Sequence, residues 1–212
     1  MASSSPLVDS AGAAVQTTGD GSTVTVREYR DADGPVVCEI WTSGLSQTAE
    51  AGSCLMRPIW NCMLGRLAAT ATSADGDIGI NGSNIGAHWG NGMADRRMLV
   101  AELAGEVVGC CGVKLGMHEG GPELPLPAPD GQACVLSSVW RVSVSARARR
   151  RGVGKSLMDA AEAWAVQAGA NRMLLVTGNS IASVFYCEKC GYRKLSACER
   201  PFGPWHAKQL TS

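Results

Sequence analysis

The sequence predicts a mixed α/β fold: one central sheet with antiparallel and parallel strand pairs, flanked by helices. Three observations carry this. Residues 98–115, "MLVAELAGEVVGCCGVKL", are two β-prone runs around the tight turn Ala104-Gly105-Glu106, the pattern of a hairpin. "RMLLVT", residues 172–177, is continuously apolar, as a parallel strand buried on both faces should be. Between "ACVLSSVWRVSVS", residues 133–145, and that strand lies a helical pattern at 152–168, which supplies a β-α-β alternation.

Each element has its own signal. Residues 1–22 are Ala, Ser, Thr and Gly with few large apolar groups. They cannot bury enough surface to offset ordering entropy, so a mobile tail is expected, with 23–212 as a single domain. "STVTVREY", residues 22–29, alternates and is β-branched, so it reads as the first strand. Asp31 and Asp33 offer N-caps to a helix through Ile40 and Trp41. A second helix is expected at 54–70. Arg57, Pro58 and Arg66 break its apolar stretch, which falls short of the roughly 18 uninterrupted apolar residues of a membrane span. It reads as an amphipathic helix on the core, with an interfacial membrane helix as the alternative. Residues 72–93, dense in Gly, Asn and Asp, form a long loop. The hairpin follows, then a Pro/Gly connection at 116–132 and the strand at 133–145. Gly169 ends the helix at 152–168, Gly191 closes a short helix at 180–189, and "YRKLSACE" at 192–199 is a last strand. The order is β-α-α-β-β-β-α-β-α-β.

Composition excludes some function classes. Lys and Arg number 19, as do Asp and Glu, so the formal net charge is zero. A dedicated nucleic-acid binder carries a basic excess, and none is expected as a partner. No membrane span is expected. The 9 cysteines have no regular framework spacing, and no secretory signal is apparent. A reduced, cytoplasmic setting with free thiols follows, organellar targeting staying open.

The run "RARRRGVGKSL", residues 147–157, is then a local feature that needs a local explanation. A nucleotide phosphate loop of the Walker A type needs a glycine five residues before the Gly-Lys-Ser, but Arg149 stands there. The other candidate is R-x-x-G-x-G, formed by Arg149, Arg150, Arg151, Gly152, Val153 and Gly154. It lies between a strand and a helix. Such a turn aims backbone N–H groups at one point, at a helix end with partial positive charge. Glycines let a pyrophosphate approach the backbone, and flanking arginines can pair with a phosphate.

This turn resembles motif A of the GNAT superfamily, the acyl-CoA-dependent N-acetyltransferases. "RVSVS" looks like the family's fourth strand and "ANRMLLVT" like its fifth. "NSIASVFYCEKCGY" is similar to its N-x-x-A…Y-x-x-x-G-[FY] segment. Together they span residues 138–192. "RVSVSARARRRGVGKSL" looks somewhat like the camello-type branch. The resemblance implies a GNAT-like mixed central sheet whose fourth and fifth strands splay apart. It implies acetyl transfer from acetyl-CoA, a co-substrate, to an amine of a small molecule or peptide by direct attack, without a metal.

The family's site carries over position by position. The oxyanion and the pantetheine arm fall to the backbone of Val142, Ser143 and Val144. The pyrophosphate falls to Arg149, Arg150, Arg151, Gly152, Val153, Gly154 and Lys155, with Ser156 completing the first helical turn; Asn179 joins the cofactor-binding set. The thiolate donor is ambiguous. Counting forward from Asn179 puts the family's Tyr at Tyr186; counting back from Gly191 reaches Cys187. Many members place a Glu base where this chain has Ser138, and a serine cannot take the proton unaided. His118, Glu119 and Glu102 are replacement candidates, and the amine can also arrive neutral. Cys187 and Cys190 make a C-x-x-C, but no second pair completes a zinc site, so packing is the plain reading. The missing Glu and displaced Tyr keep open a rival, a catalytically silent acyl-CoA-binding or regulatory module. A homodimer is also left open.

Overall fold

The computed structural model describes residues 7–8, 14–17, 21–51, 93–116, 133–177, 179–200 and 203–211. Its strands are β1 (Leu7–Val8), β2 (Ala14–Thr17), β3 (Thr23–Glu28), β4 (Arg96–Leu103), β5 (Glu106–Leu115), β6 (Leu136–Val144), β7 (Arg172–Val176), β8 (Arg193–Arg200) and β9 (Gly203–Gln209). Its helices are α1 (Gly34–Ala51), α2 (Val153–Gln167) and α3 (Ser180–Cys190). The expected helix at 54–70, nearly all of the 72–93 loop, and residues 117–132 lie outside the described residues.

The strands form one sheet in the order β1-β2-β3-β4-β5-β6-β7-β9-β8. Among the described pairs, only β6 and β7 run parallel. The mixed sheet flanked by helices is therefore as the sequence predicts. The hairpin turn is tight because Ala104 and Gly105 both take positive φ, 53° and 80°, which matches the twist of the flanking strands.

Three strands were not legible. β1 and β2 lie inside the stretch expected as a mobile tail, with β2 paired to β3 from Ala14↔Val26 to Thr17↔Thr23. β9 inserts between β7 and β8 and pairs with both. Its sequence, "GPWHAKQ", shows no apolar alternation because its side chains toward α2 and α3 are polar. Lys208 reaches Glu162 of α2 at 2.6 Å. His206, fully buried, meets Ser183 of α3 through Nε2 at 2.8 Å and the Pro204 carbonyl through Nδ1 at 3.1 Å. The carbonyl can only accept, so Nδ1 carries the proton and Nε2 accepts from the Ser183 hydroxyl. This bond clamps α3 to the sheet.

The core lies on both faces of the sheet. One cluster joins α2 and α3 to the sheet through Val153, Leu157, Met158, Ala161, Ala165 and Tyr186 among others. The α2 members recur at three- and four-residue spacing, the apolar stripe of a core-facing helix. The second cluster sits under α1 and contains Tyr29, Val37, Met98, Val100 and Cys110, with Trp140 packed against it. Cys110 and Cys111 fall in opposite clusters, as alternation along a strand requires.

Two outcomes follow. Leu157 is completely buried, so Leu157→Ala should cost about 2–5 kcal/mol in urea unfolding; a loss below 1 kcal/mol would contradict this packing. Burial, the largest influence, holds the His206 pKa below its usual value, against the Pro204 hydrogen bond. The unfolded chain then binds the proton more readily than the native state. Stability from this imidazole is complete above the ordinary His pKa of about 6.5 and is lost as pH falls below it. Urea midpoints at pH 7.5 and 5.5 should differ in wild type, and His206→Gln should flatten that difference.

Candidate functional site

The turn between β6 and α2 is built from alternating backbone conformations. Residues Ala146–Ala148 form a 3-10 turn, Arg149 is extended, Arg150 has φ 62° and Gly152 φ 78°. Neighbouring right- and left-handed residues turn successive N–H groups into one concavity, an anion-binding nest. The N–H groups of Val153, Gly154 and Lys155 add to it, because the first turn of a helix has no acceptor for them. The fit to a pyrophosphate rests on this backbone.

The side chains around it divide differently from expectation. Arg149 donates from Nε to the Val144 carbonyl at 3.1 Å and so braces the turn. Ser156, expected beside the anion, is buried, and its hydroxyl returns to the Gly152 carbonyl at 3.3 Å. It supports the turn from within, because its place in the helix points it into the core. Lys155 pairs with Asp159 one helical turn on. Gly154 serves packing: a Cβ there would stand 3.3 Å from the Phe185 ring of α3, so the missing side chain admits that ring. Beside the turn an open cavity of about 600 Å³ is lined by Leu103, Glu106, Arg147 and Arg151 among others.

The turn lies at the end of an opening in the sheet. β6 pairs with β7 at Leu136↔Arg172, Ser137↔Met173 and Ser138↔Leu174, and the pairing stops there. From Val139 on, β6 keeps its partner β5. The edge turned toward β7 along Val142, Ser143 and Val144 is thus outside the parallel ladder, while Val142 and Val144 pack on the α2 cluster. A bulge bends this segment: Cys110 opposes Ser143 but Gly112 opposes Trp140, and Arg141 has φ 53°.

Ser138 stands at the last paired position. It is buried and its Oγ accepts from the Trp140 indole N–H at 2.9 Å. A hydroxyl so placed orients Trp140. Glu102 is no free base, since Arg27 holds its carboxylate at 2.6 Å while also binding Asp33 at 2.7 Å. His118 and Glu119 lie outside the described residues.

Helix α3 bears on the count that the sequence left ambiguous. Asn179 is its N-cap: its side-chain oxygen accepts from the N–H groups of Ile181 and Ala182 at 2.9 and 3.1 Å. At the other end the N–H groups of Gly191 and Tyr192 both return to the Tyr186 carbonyl. That reach is one residue longer than in an ordinary closing turn, so the extra residue widens the last turn. Phe185 faces the turn at Gly154. Cys187, two residues on and about 200° around the helix, points away from it. Tyr186 is buried beside Phe185, Tyr192 and His206. Burial, chiefly, pushes its phenol well above the usual range, so it keeps its proton at neutral pH.

Cys190 is buried and its thiol is pushed up to about 12, so it packs as a small apolar group. Among the described residues no cluster of His, Cys, Asp and Glu could hold a metal, and no helix is long and apolar enough to cross a membrane.

Known structures repeat this architecture. The GNAT domain of PAT from S. lividans aligns with a TM-score of 0.61 at 18% identity, over 93% of this chain and 97% of that one. PaiA N-acetyltransferase from Thermoplasma acidophilum, solved in complex with coenzyme A, aligns at 0.58 and 14% identity, over 88% and 98%. yncA from Salmonella typhimurium, solved with its cofactor acetyl-CoA, aligns at 0.52 and 18%, over 89% and 94%. No curated protein matches the chain by sequence. The model of the acetyltransferase (GNAT) family matches residues 83–192, more than half of the chain and the whole segment from the second hairpin strand through the turn to α3. The chain belongs to the GNAT acetyltransferase family.

Proposed function

We propose that this protein transfers the acetyl group of acetyl-CoA directly to an amine of a small molecule or peptide. One observation carries the reading: the anion-binding turn lies at the end of a strand whose inner edge leaves the parallel ladder after Ser138. Acetyl-CoA supplies an activated acetyl thioester and a thiol leaving group. The nest at 150–155 suits its pyrophosphate, with Arg151 beside it and Arg147 held in an ion pair with Glu106 at 2.9 Å. The backbone of Val142, Ser143 and Val144 suits the pantetheine arm and, where the strands part, the developing oxyanion. Tyr186 suits the proton donor to the departing thiolate. With Ser138 holding Trp140, the proton is left to His118, Glu119 or the amine's own arrival in neutral form.

The same commitment favours one rival, a silent acyl-CoA-binding module. Thiol release with mixed amines separates the two, because the silent module binds coenzyme A and releases none.

Acetyl-CoA at about 100 times its dissociation constant should stabilise the fold by roughly 2.7 kcal/mol, seen as a thermal shift. A shift with ATP and none with acetyl-CoA would sink the reading. Gly154→Glu presses on Phe185 and brings negative charge to the turn, so the acetyl-CoA dissociation constant should rise at least about tenfold. An unchanged constant removes the turn from the site.

Tyr186→Phe keeps the ring and loses the proton. Turnover should fall by about 10²-fold or more while acetyl-CoA affinity stays, the mark of an interaction made in the transition state. Cys187→Ala should leave turnover within about twofold. The reverse pattern would restore the Gly191 count.

A further inference from the structure

His206 is a titratable group that the transfer chemistry does not use, and it is completely buried on β9. Its hydrogen bonds run in a fixed direction. Nδ1–H donates to the Pro204 carbonyl at 3.1 Å, which leaves Nε2 as the acceptor for the Ser183 hydroxyl at 2.8 Å. These are its two hydrogen-bond partners among the described residues. The surroundings hold the ring neutral. Leu175 of β7 and Lys194 of β8 stand opposite it in the two ladders, and Ser183 and Tyr186 face it from α3. Lys208, two residues along β9, is turned to Glu162 of α2. Burial first, and then the Lys194 charge, hold the imidazole below its usual pKa against the pull of the Pro204 hydrogen bond.

The place of this acceptor matters. Ser183 lies one helical turn before Tyr186, so the two side chains leave α3 on the same side. The Tyr186 ring stands 6.3 Å from the imidazole, centroid to centroid, at an interplanar angle of 54°. α3 is thus pinned to β9 one turn from the phenol, by a ring that also packs against the phenol. A misplacement of about 1 Å at a reacting group can cost about 10²-fold in rate. A protonated imidazole has no lone pair for the Ser183 hydroxyl. Its charge would also lie buried beside Lys194, with no carboxylate bonded to it among the described residues.

We propose that His206 is a positioning residue for the transfer step: as a neutral acceptor it holds Ser183 and so aims the Tyr186 phenol, and its protonation lowers turnover without releasing acetyl-CoA. This rests on the acetyl-transfer reading above, in which Tyr186 protonates the departing thiolate. The phosphate turn and the backbone of β6 make no contact that depends on this bond, so the effect falls on the rate and not on cofactor affinity.

The experiment reads thiol release at saturating acetyl-CoA, with an amine that wild type accepts, from about pH 8 to about pH 5. It uses wild type, His206→Gln, Ser183→Ala, Tyr186→Phe and the double variant of the last two. Gln keeps an accepting oxygen for Ser183 and does not titrate. Rates are compared at the same pH, so the acceptor's own protonation cancels, and melting curves at each pH keep the comparison to folded protein. Above about pH 7, His206→Gln should stay within about threefold of wild type in kcat. Below about pH 6.5 the wild-type rate should fall relative to Gln by about fivefold or more. Ser183→Ala should lower kcat about tenfold near pH 7.5 and leave the acetyl-CoA dissociation constant within about threefold. In the Tyr186→Phe background the same change should cost less than about twofold, because the phenol it aims is gone. A constant ratio of wild type to Gln across pH, full turnover in Ser183→Ala, or an equal loss in both backgrounds overturns the positioning role and leaves acetyl transfer intact. Should His206→Gln fail to fold, the two Ser183→Ala comparisons decide by themselves. Full turnover in Tyr186→Phe removes the donor and its positioning residue together. Acetyl-CoA binding without release by any amine, simple diamines included, overturns the transfer reading and this one with it.

Discussion

The parting of β6 from β7 after Ser138 is the constraint on which the rest depends. A strand inside a sheet that leaves its neighbour exposes backbone donors and acceptors, and buried backbone groups need partners. The fold contains the damage. β5 keeps its ladder along the other edge of β6, α2 covers Val142 and Val144, and β7 turns to β9 for its second ladder. What remains is a slot lined by backbone, ending at a turn whose N–H groups converge. An extended chain with amide groups and a pyrophosphate at one end matches both parts.

The slot needs its far wall held still, and α3 is that wall. The Asn179 cap begins it, the His206–Ser183 bond ties its middle to β9, and the doubled return to the Tyr186 carbonyl closes it. Phe185 then bears on Gly154, so the turn and the helix carrying Tyr186 are packed against each other. The last turn of α3 is wide, with the N–H groups of Gly191 and Tyr192 both on the Tyr186 carbonyl.

The parts legible in sequence were those with a local signature. The strand–turn–helix with Gly152 and Gly154 could be read because few residues tolerate those backbone and packing demands. The hairpin and "RMLLVT" could be read from apolar periodicity. β9 could not, because its inward residues are His206 and Lys208, whose partners come from helices distant in sequence. The partners of Ser156 and Ser138 were not legible for a related reason. Each hydroxyl had a nearby partner, the Gly152 carbonyl and the Trp140 indole, that only the folded backbone reveals. The bulge at Arg141 left no trace, since strict alternation assigns Trp140 and Arg141 to opposite faces.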